Sequence, residues 1–277
     1  MSEESTRSEL DIPLKIRGKL IGVFNFQHQE VDQFSPERIQ LLEALAGHVA
    51  TAIENARLFK IEREEKERMA RELDEARTVQ LSLFPNWKPD IPGFEINGLC
   101  LPCQEVGGDW FDYIQLSDGR FGVVLADVSG KGMAAALLMS STRSILRMFA
   151  EKNLSPGDLL TQLNRILIQD FPKTKFVTLI YGILDPKEKI ITIANAGHLS
   201  PLLIRSGEIK FLETNSGLPL GLMEVNYSET KIDLQIGSRL LLYSDGVTEA
   251  MNSNREEYGS DRILSAMKKS SSSIQTL

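Results

Sequence analysis

The sequence predicts an α+β domain joined to one very long helix, and three observations predict it. β-prone runs flank two consecutive helical stretches, which fits α+β packing better than regular βαβ alternation. From His48 to Phe84 no glycine or proline interrupts the chain, so nothing breaks a helix there. Ile39, Leu42, Ala46, Val49, Ile53 and Ala56 recur at spacings of three and four, which makes one stripe on a helix.

Taken in order, the first element is a β-hairpin within residues 10–34, where Leu14-Lys-Ile-Arg-Gly-Lys-Leu-Ile-Gly-Val-Phe-Asn-Phe26 carries a turn glycine, Gly18, between two β-prone runs. A lone hairpin cannot bury a core, so residues 1–34 read as the remnant of a larger domain. The long helix occupies residues 35–85. Ser35 is placed to cap it, and Pro36 takes the first helical position, where its missing N–H costs nothing. Between Lys60 and Arg77, thirteen of eighteen residues are charged; Met69, Leu73 and Ala76 continue a thin apolar seam, which has only Ile61 between Lys60 and Arg68. A continuous helix from Pro36 to Leu83 would span about 70 Å. A helix so long and so polar is not buried inside a globule. The expected arrangement is a homodimeric coiled coil through residues 35–85, with a solvated single-helix connector as the alternative. Pro85 ends the helix. In residues 86–277, the runs 121–126, 176–183, 189–194 and 239–243 read as strands. Residues 133–150 and 156–169 read as helices, the second opened by Ser155-Pro156. The tail Ser270-Ser-Ser-Ser273 has the composition of a frayed end.

Composition narrows the function. The chain has 277 residues, enough for one large or two modest domains, with 42% hydrophobic and 25% charged residues. A net charge of −7 argues against a nucleic-acid or anionic-membrane binder, because phosphate neutralisation needs a basic surface. No apolar run approaches the ~20 residues that span a bilayer. The opening Met1-Ser-Glu-Glu-Ser-Thr lacks the basic and apolar regions of a signal peptide, and two cysteines cannot make a disulfide scaffold. The expectation is a cytoplasmic protein with no nucleic-acid and no membrane partner.

Three acidic motifs stand at strand ends or turns: Glu105-Val-Gly-Gly-Asp109-Trp-Phe-Asp112, Ala126-Asp127-Val-Ser-Gly-Lys-Gly132 and Ser244-Asp245-Gly-Val-Thr-Glu249. In each, an aspartate adjoins glycine or a small residue that lets backbone approach closely. One Asp-Gly alone is ordinary turn chemistry. Three that meet at one sheet edge would repel unless a cation neutralised them, and hard oxygen ligands suit Mg²⁺ or Mn²⁺.

In that wording residues 75–259 resemble the sporulation-stage-II-E-type branch of the metal-dependent (PPM class) Ser/Thr protein phosphatases. The resemblance runs through Ala76-Arg-Thr-Val-Gln80, Leu83-Phe-Pro85, the three acidic motifs, Ala194-Asn-Ala-Gly-His198 and Gly217-Leu-Pro-Leu-Gly221. Residues 11–59 resemble the end of a GAF sensor domain, through Arg17-Gly-Lys-Leu-Ile-Gly-Val23 and Ala52-Ile-Glu-Asn-Ala-Arg-Leu58. The resemblance implies two packed antiparallel β-sheets flanked by helices, preceded by a long N-terminal signalling helix. It implies two ions, Mn²⁺ or Mg²⁺, with Asp127 bridging both, the Val128 carbonyl joining one, and Asp109 and Asp245 completing the shells. It also implies hydrolysis of phosphoserine or phosphothreonine on a phosphorylated anti-anti-sigma-type protein, regulated through the helix. The family's further metal-binding aspartate, in an Asp-Asp-x-Thr segment near the C-terminus, has no counterpart after Tyr258-Gly259; Ser260-Asp261 reads as a helix start instead. A phosphatase domain lacking its C-terminal strand, with weaker metal binding and low activity, is therefore expected. The rival reading is a catalytically silent module that binds a phosphorylated partner.

Other features carry less. Cys100-Leu-Pro-Cys103 has redox or zinc spacing, but no second pair accompanies it, so ordinary thiols are expected. His198 reads as a loop-holding histidine rather than a general acid. Lys131, between two glycines, reads equally as a solvated lysine or a phosphate contact.

Overall fold

The structure, a computed structural model, describes residues 6–102 and 105–269; the predicted frayed tail at 270–273 and Cys103 lie outside them. The chain divides into two compact units, Met1–Glu72 and Leu73–Leu277.

In the first unit, β1 (Ser8–Ile16) and β2 (Lys19–His28) form an antiparallel hairpin. Its two turn residues, Arg17 and Gly18, have φ of 47° and 83°. Positive φ at both central positions is the turn whose twist matches paired strands. Helix α1 (Pro36–Leu83) begins where the capping signal places it, with the Arg38 N–H donating to Ser35 Oγ at 3.4 Å. Leu42, Ala46, Val49 and Ala50 of α1 cluster with Ile12, Leu14 and Phe24 of the hairpin. Much of the stripe read as a coiled-coil seam is thus used within this unit. Further along, α1 is laced with ion pairs one turn apart, including Arg63–Glu67 at 2.8 Å and Lys66–Glu62 at 2.9 Å. Nearly all of these groups are exposed, so solvent screening leaves the pairs little net effect on stability.

The second unit contains two antiparallel sheets. The larger has the order β3-β4-β5-β6-β9, built from Trp110–Gln115, Phe121–Val128, Val177–Asp185, Ile190–Ala196 and Glu229–Asp233. The smaller has the order β10-β7-β8, from Arg239–Leu241, Leu202–Arg205 and Glu208–Phe211. The period of two along β5 divides the core. Leu179, Tyr181 and Ile183 face α2 (Gly132–Ala150) and α3 (Pro156–Asp170), meeting Met139, Leu146, Leu160 and Leu163. Ile180 and Leu184 face the other way and pack with Leu203 and Leu212 beneath the smaller sheet. On the far side of that sheet, Leu202 and Ile204 pack on Ile263 and Met267 of α5 (Gly259–Lys269). The result is the expected architecture, two packed sheets flanked by helices. Helix α3 opens on Ser155, whose hydroxyl accepts the Asp158 N–H. No helix among the described residues is long and apolar enough to cross a membrane.

Candidate active site

Strand register does most of the positioning. β3 and β4 pair with Trp110 opposite Ala126. Continuing that register by one residue puts Asp109 opposite Asp127, which itself pairs with Thr178 of β5. Two carboxylates from neighbouring strands therefore meet at one sheet edge. They can come so close because of Gly108: a Cβ there would lie 2.6 Å from the Val128 carbonyl oxygen and 3.1 Å from its nitrogen. Any side chain at 108 would cover that carbonyl and push the two strands apart.

The third motif arrives from the other sheet. β10 ends at Leu241, short of the predicted 243, and the Tyr243 carbonyl turns instead to His198 Nε2 at 3.2 Å. Ser244 follows and donates its hydroxyl to Asp109 Oδ2 at 2.7 Å. Asp245 then begins a single helical turn, α4 (Asp245–Thr248), with its carbonyl accepting the Glu249 N–H at 2.7 Å. Burial pushes the Asp127 carboxyl up to about 8, helped by a hydrogen bond with Asp109 and by the negative charges of Asp109, Asp245 and Glu249. Asp109 and Asp127 are thus side by side with the Val128 carbonyl next to them, and Asp245, one residue beyond Ser244, is near enough for its charge to act on Asp127.

Around this point the scaffold is polar but satisfied. His198 is buried, with Nδ1 2.8 Å from Thr178 Oγ1, its backbone N–H on Asn195 Oδ1 at 2.8 Å, and its carbonyl accepting from Asn195 Nδ2 at 3.1 Å. Burial lowers its pKa, against the opposing pull of the Tyr243 carbonyl and of Asp109 and Asp245. With both ring nitrogens engaged, it ties β5 to the segment leading into Ser244. The loop after Val128 is held by Lys175, whose ammonium donates to the Ser129 carbonyl at 3.0 Å, and by Ser129 Oγ, which accepts the Phe176 N–H at 2.9 Å. Lys131 stands just before α2 and makes no capping hydrogen bond with its side chain. Cys100 is half-buried, its thiol directed at the Asp109 carbonyl at 3.8 Å and pushed up to about 11 by burial and by the Asp109 charge.

Sequence reasoning did not single out Ser244, Glu249 or Gln80. Ser244 and Glu249 lie inside the third motif, where the aspartate drew the attention. Gln80 lies in the quoted Ala76–Gln80 stretch, and its signal was a lone carboxamide at the end of a highly charged helix.

Among the described residues, no three His, Cys, Asp or Glu groups close into a ready metal cage. The donors nevertheless fit a hard divalent cation. They are carboxylates and a backbone carbonyl, the carbonyl is left open by a glycine, and Asp127 carries a pKa raised first by burial and then by negative neighbours whose charge a cation would offset.

The fold is that of a PP2C-type domain. The solved SiaA-PP2C domain of Pseudomonas aeruginosa superposes with a TM-score of 0.61 over 74% of this chain and 83% of that one, at 18% identity. The family model described as Stage II sporulation protein E matches residues 117–277, and the chain belongs to that family. The GAF-domain model matches residues 1–53. Among relatives, the protein IcfG of Synechocystis is 28% identical over 225 residues, covering 71% of this chain and 35% of its own length. Phosphoserine phosphatase RsbU of Bacillus subtilis is 28% identical over 216 residues, covering 77% of this chain and 63% of its own. The chain thus spans roughly one to two thirds of the length of these relatives.

Proposed function

We propose that the protein is a metal-dependent phosphatase that removes phosphate from phosphoserine or phosphothreonine on a regulatory protein of the anti-anti-sigma type. The observation that carries this is the pairing of Asp109 with a buried Asp127 at the ends of two neighbouring strands, with Ser244 of the third acidic motif hydrogen-bonded to Asp109. The name of its relative RsbU, a phosphoserine phosphatase, supports the same reading. Asp127, the Val128 carbonyl, Asp109 and Asp245 would hold the Mn²⁺ or Mg²⁺ ions, Asp127 as the central ligand. Bound there, two such ions would supply an acidified water for attack on phosphorus and would offset charge on the phosphoryl oxygens. The chain's own part is to hold the ligands. Ser244 orients Asp109, Gly108 keeps the Val128 carbonyl open, and His198 and Lys175 fix the loops on either side. No side-chain nucleophile is required.

The test is phosphate release from p-nitrophenyl phosphate. Release is expected with Mn²⁺ and is expected to stop on chelation. Release that survives chelation, or none at any Mn²⁺ concentration, would refute the reading.

Residues 35–85 serve in this proposal as the regulatory linker, residues 1–34 as part of the sensor and residues 86–277 as the phosphatase domain, with a homodimer formed through the linker. Apolar side chains on a solvated helix support the dimer: Phe59 and Met69 are 70% and 63% exposed. Replacing Met69 and Leu73 together with Asp is expected to shift the mass found by light scattering from dimer to monomer. An unchanged mass would count against the linker interface.

A further inference from the structure

We propose that Gln80 is a positioning residue for the acidic site, holding the Gly107–Asp109 segment so that Asp109 is presented beside Asp127. The proposal rests on the metal-dependent reading above.

Gln80 lies in the last turn of α1 and is 6% exposed, between the exposed neighbours Val79 and Leu81. A buried carboxamide costs stability unless its donor and acceptor are both satisfied. Both are satisfied at one residue. Gln80 Nε2 donates to the Gly107 carbonyl at 2.8 Å, and Gln80 Oε1 accepts the Gly107 N–H at 3.0 Å. This is the two-bond exchange of a hydrogen-bonded pair in an antiparallel ladder, made here by a side chain. Only a carboxamide of this length can make it. Leucine has neither group, glutamate lacks the donor and asparagine is one methylene short.

Fixing the N–H and the carbonyl of residue 107 fixes the direction in which the chain leaves it. The next residue is Gly108, pressed on the Val128 carbonyl, and the next is Asp109, which takes the Ser244 hydroxyl. The clamp therefore stands two residues from a carboxylate of the site. Anchoring the helix end is a different task with its own apolar means. Leu83 and Phe84 pack against the α2/α3-side core, and the Phe84 ring lies 5.6 Å from that of Phe111. What the Gln80 bonds add is the orientation of the loop.

The experiment compares wild type, Gln80→Leu and Gln80→Glu in the full 277-residue chain. Its readouts are hydrogen exchange at the Gly107 amide without metal, Mn²⁺ binding by calorimetry, and thermal unfolding. Gln80→Leu is expected to speed Gly107 exchange and weaken Mn²⁺ binding, each about tenfold, the scale of one or two lost buried hydrogen bonds. Gln80→Glu keeps the acceptor but sets a carboxylate oxygen against the Gly107 carbonyl, so it is expected to loosen the segment at least as much, and both variants to melt a few degrees lower. Equal Gly107 exchange in wild type and variant, or unchanged Mn²⁺ affinity in a folded Gln80→Leu protein, would overturn the proposal. If wild type itself binds no Mn²⁺, the metal reading of the site fails, while the exchange comparison still decides the clamp. If Gln80→Leu does not fold, wild-type exchange at Gly107 as fast as in an open loop would overturn it, and slow exchange would uphold it.

Discussion

Replacing Asp127 with Asn is expected to lower Mn²⁺-dependent phosphate release roughly a hundredfold or more. Partners outside a metal's own ligand shell are already worth about 10–100-fold, and in the proposed function Asp127 would be a direct ligand. The substitution is nearly isosteric and removes a charge that the metal-free site resists, so the loss should come without unfolding. A second signature separates this from general damage. In the metal-free protein the Asp127 carboxyl sits at about 8, far above its unfolded value, because of burial and the negative neighbours Asp109, Asp245 and Glu249. Between the ordinary carboxylate range and about 8 the folded chain holds a proton that the unfolded chain has released. Stability without metal therefore falls as pH rises through that interval, and the loss is complete above it. Asp127→Asn has no proton to lose there, so its metal-free stability should be flatter with pH. Chemical denaturation at pH 5 and pH 9, with chelator, measures the difference. Wild type and variant with the same pH slope would show that Asp127 is not the strained carboxyl.

Which parts of this arrangement could be read from sequence follows from where the deciding interactions lie. The ends of α1 and α3 were legible because Ser35 and Ser155 cap them locally, each followed by a proline. The strand runs 121–126, 176–183 and 189–194 were legible because strands buried on both faces are continuously apolar. β3 was not. Read as the end of an acidic turn motif, Trp110–Gln115 carries an aspartate at its third position, and no local pattern says that Asp112 is buried. β7, β8 and β9 are short, and two of them are largely polar, so only their sheet partners define them. The acidic motifs were visible as candidates through their glycines. Their meeting depends on the Asp109–Asp127 register and on the Ser244 bond, which spans 135 residues and leaves no trace in spacing.

Asp112 shows what such long-range chemistry hides, and it carries the largest expected effect on stability. Its carboxylate is 1% exposed on β3, with Arg143 Nε 3.0 Å and Arg147 Nη1 3.4 Å from Oδ2, while Oδ1 accepts the Tyr113 N–H at 2.9 Å. The Arg143 contact is an ion pair dominated by Coulomb attraction, its hydrogen-bond geometry being poor. Burial raises the Asp112 pKa, and the two guanidiniums only partly oppose it. The pair is therefore a weak source of net stability, yet a costly one to break. Asp112→Ala would leave Arg143, itself 16% exposed, facing the core edge without a counter-charge. The expected cost is about 3 kcal/mol, or roughly 6–12 °C in melting temperature for a unit of this size. The clue in the sequence was the spacing of Arg143 and Arg147, one turn apart on a helix whose buried residues are mostly apolar. A double-mutant cycle with Arg143→Met gives the decisive comparison. Removing both partners should cost less than the sum of the single losses by about 1 kcal/mol or more, because the second substitution removes the more buried of the two charges that the first left stranded. Additive losses would mean that the two groups do not stabilise each other. α2 would then be held on β3 by its apolar contacts, Ala135, Met139 and Leu146 against Trp110 and Ile114, without help from charge.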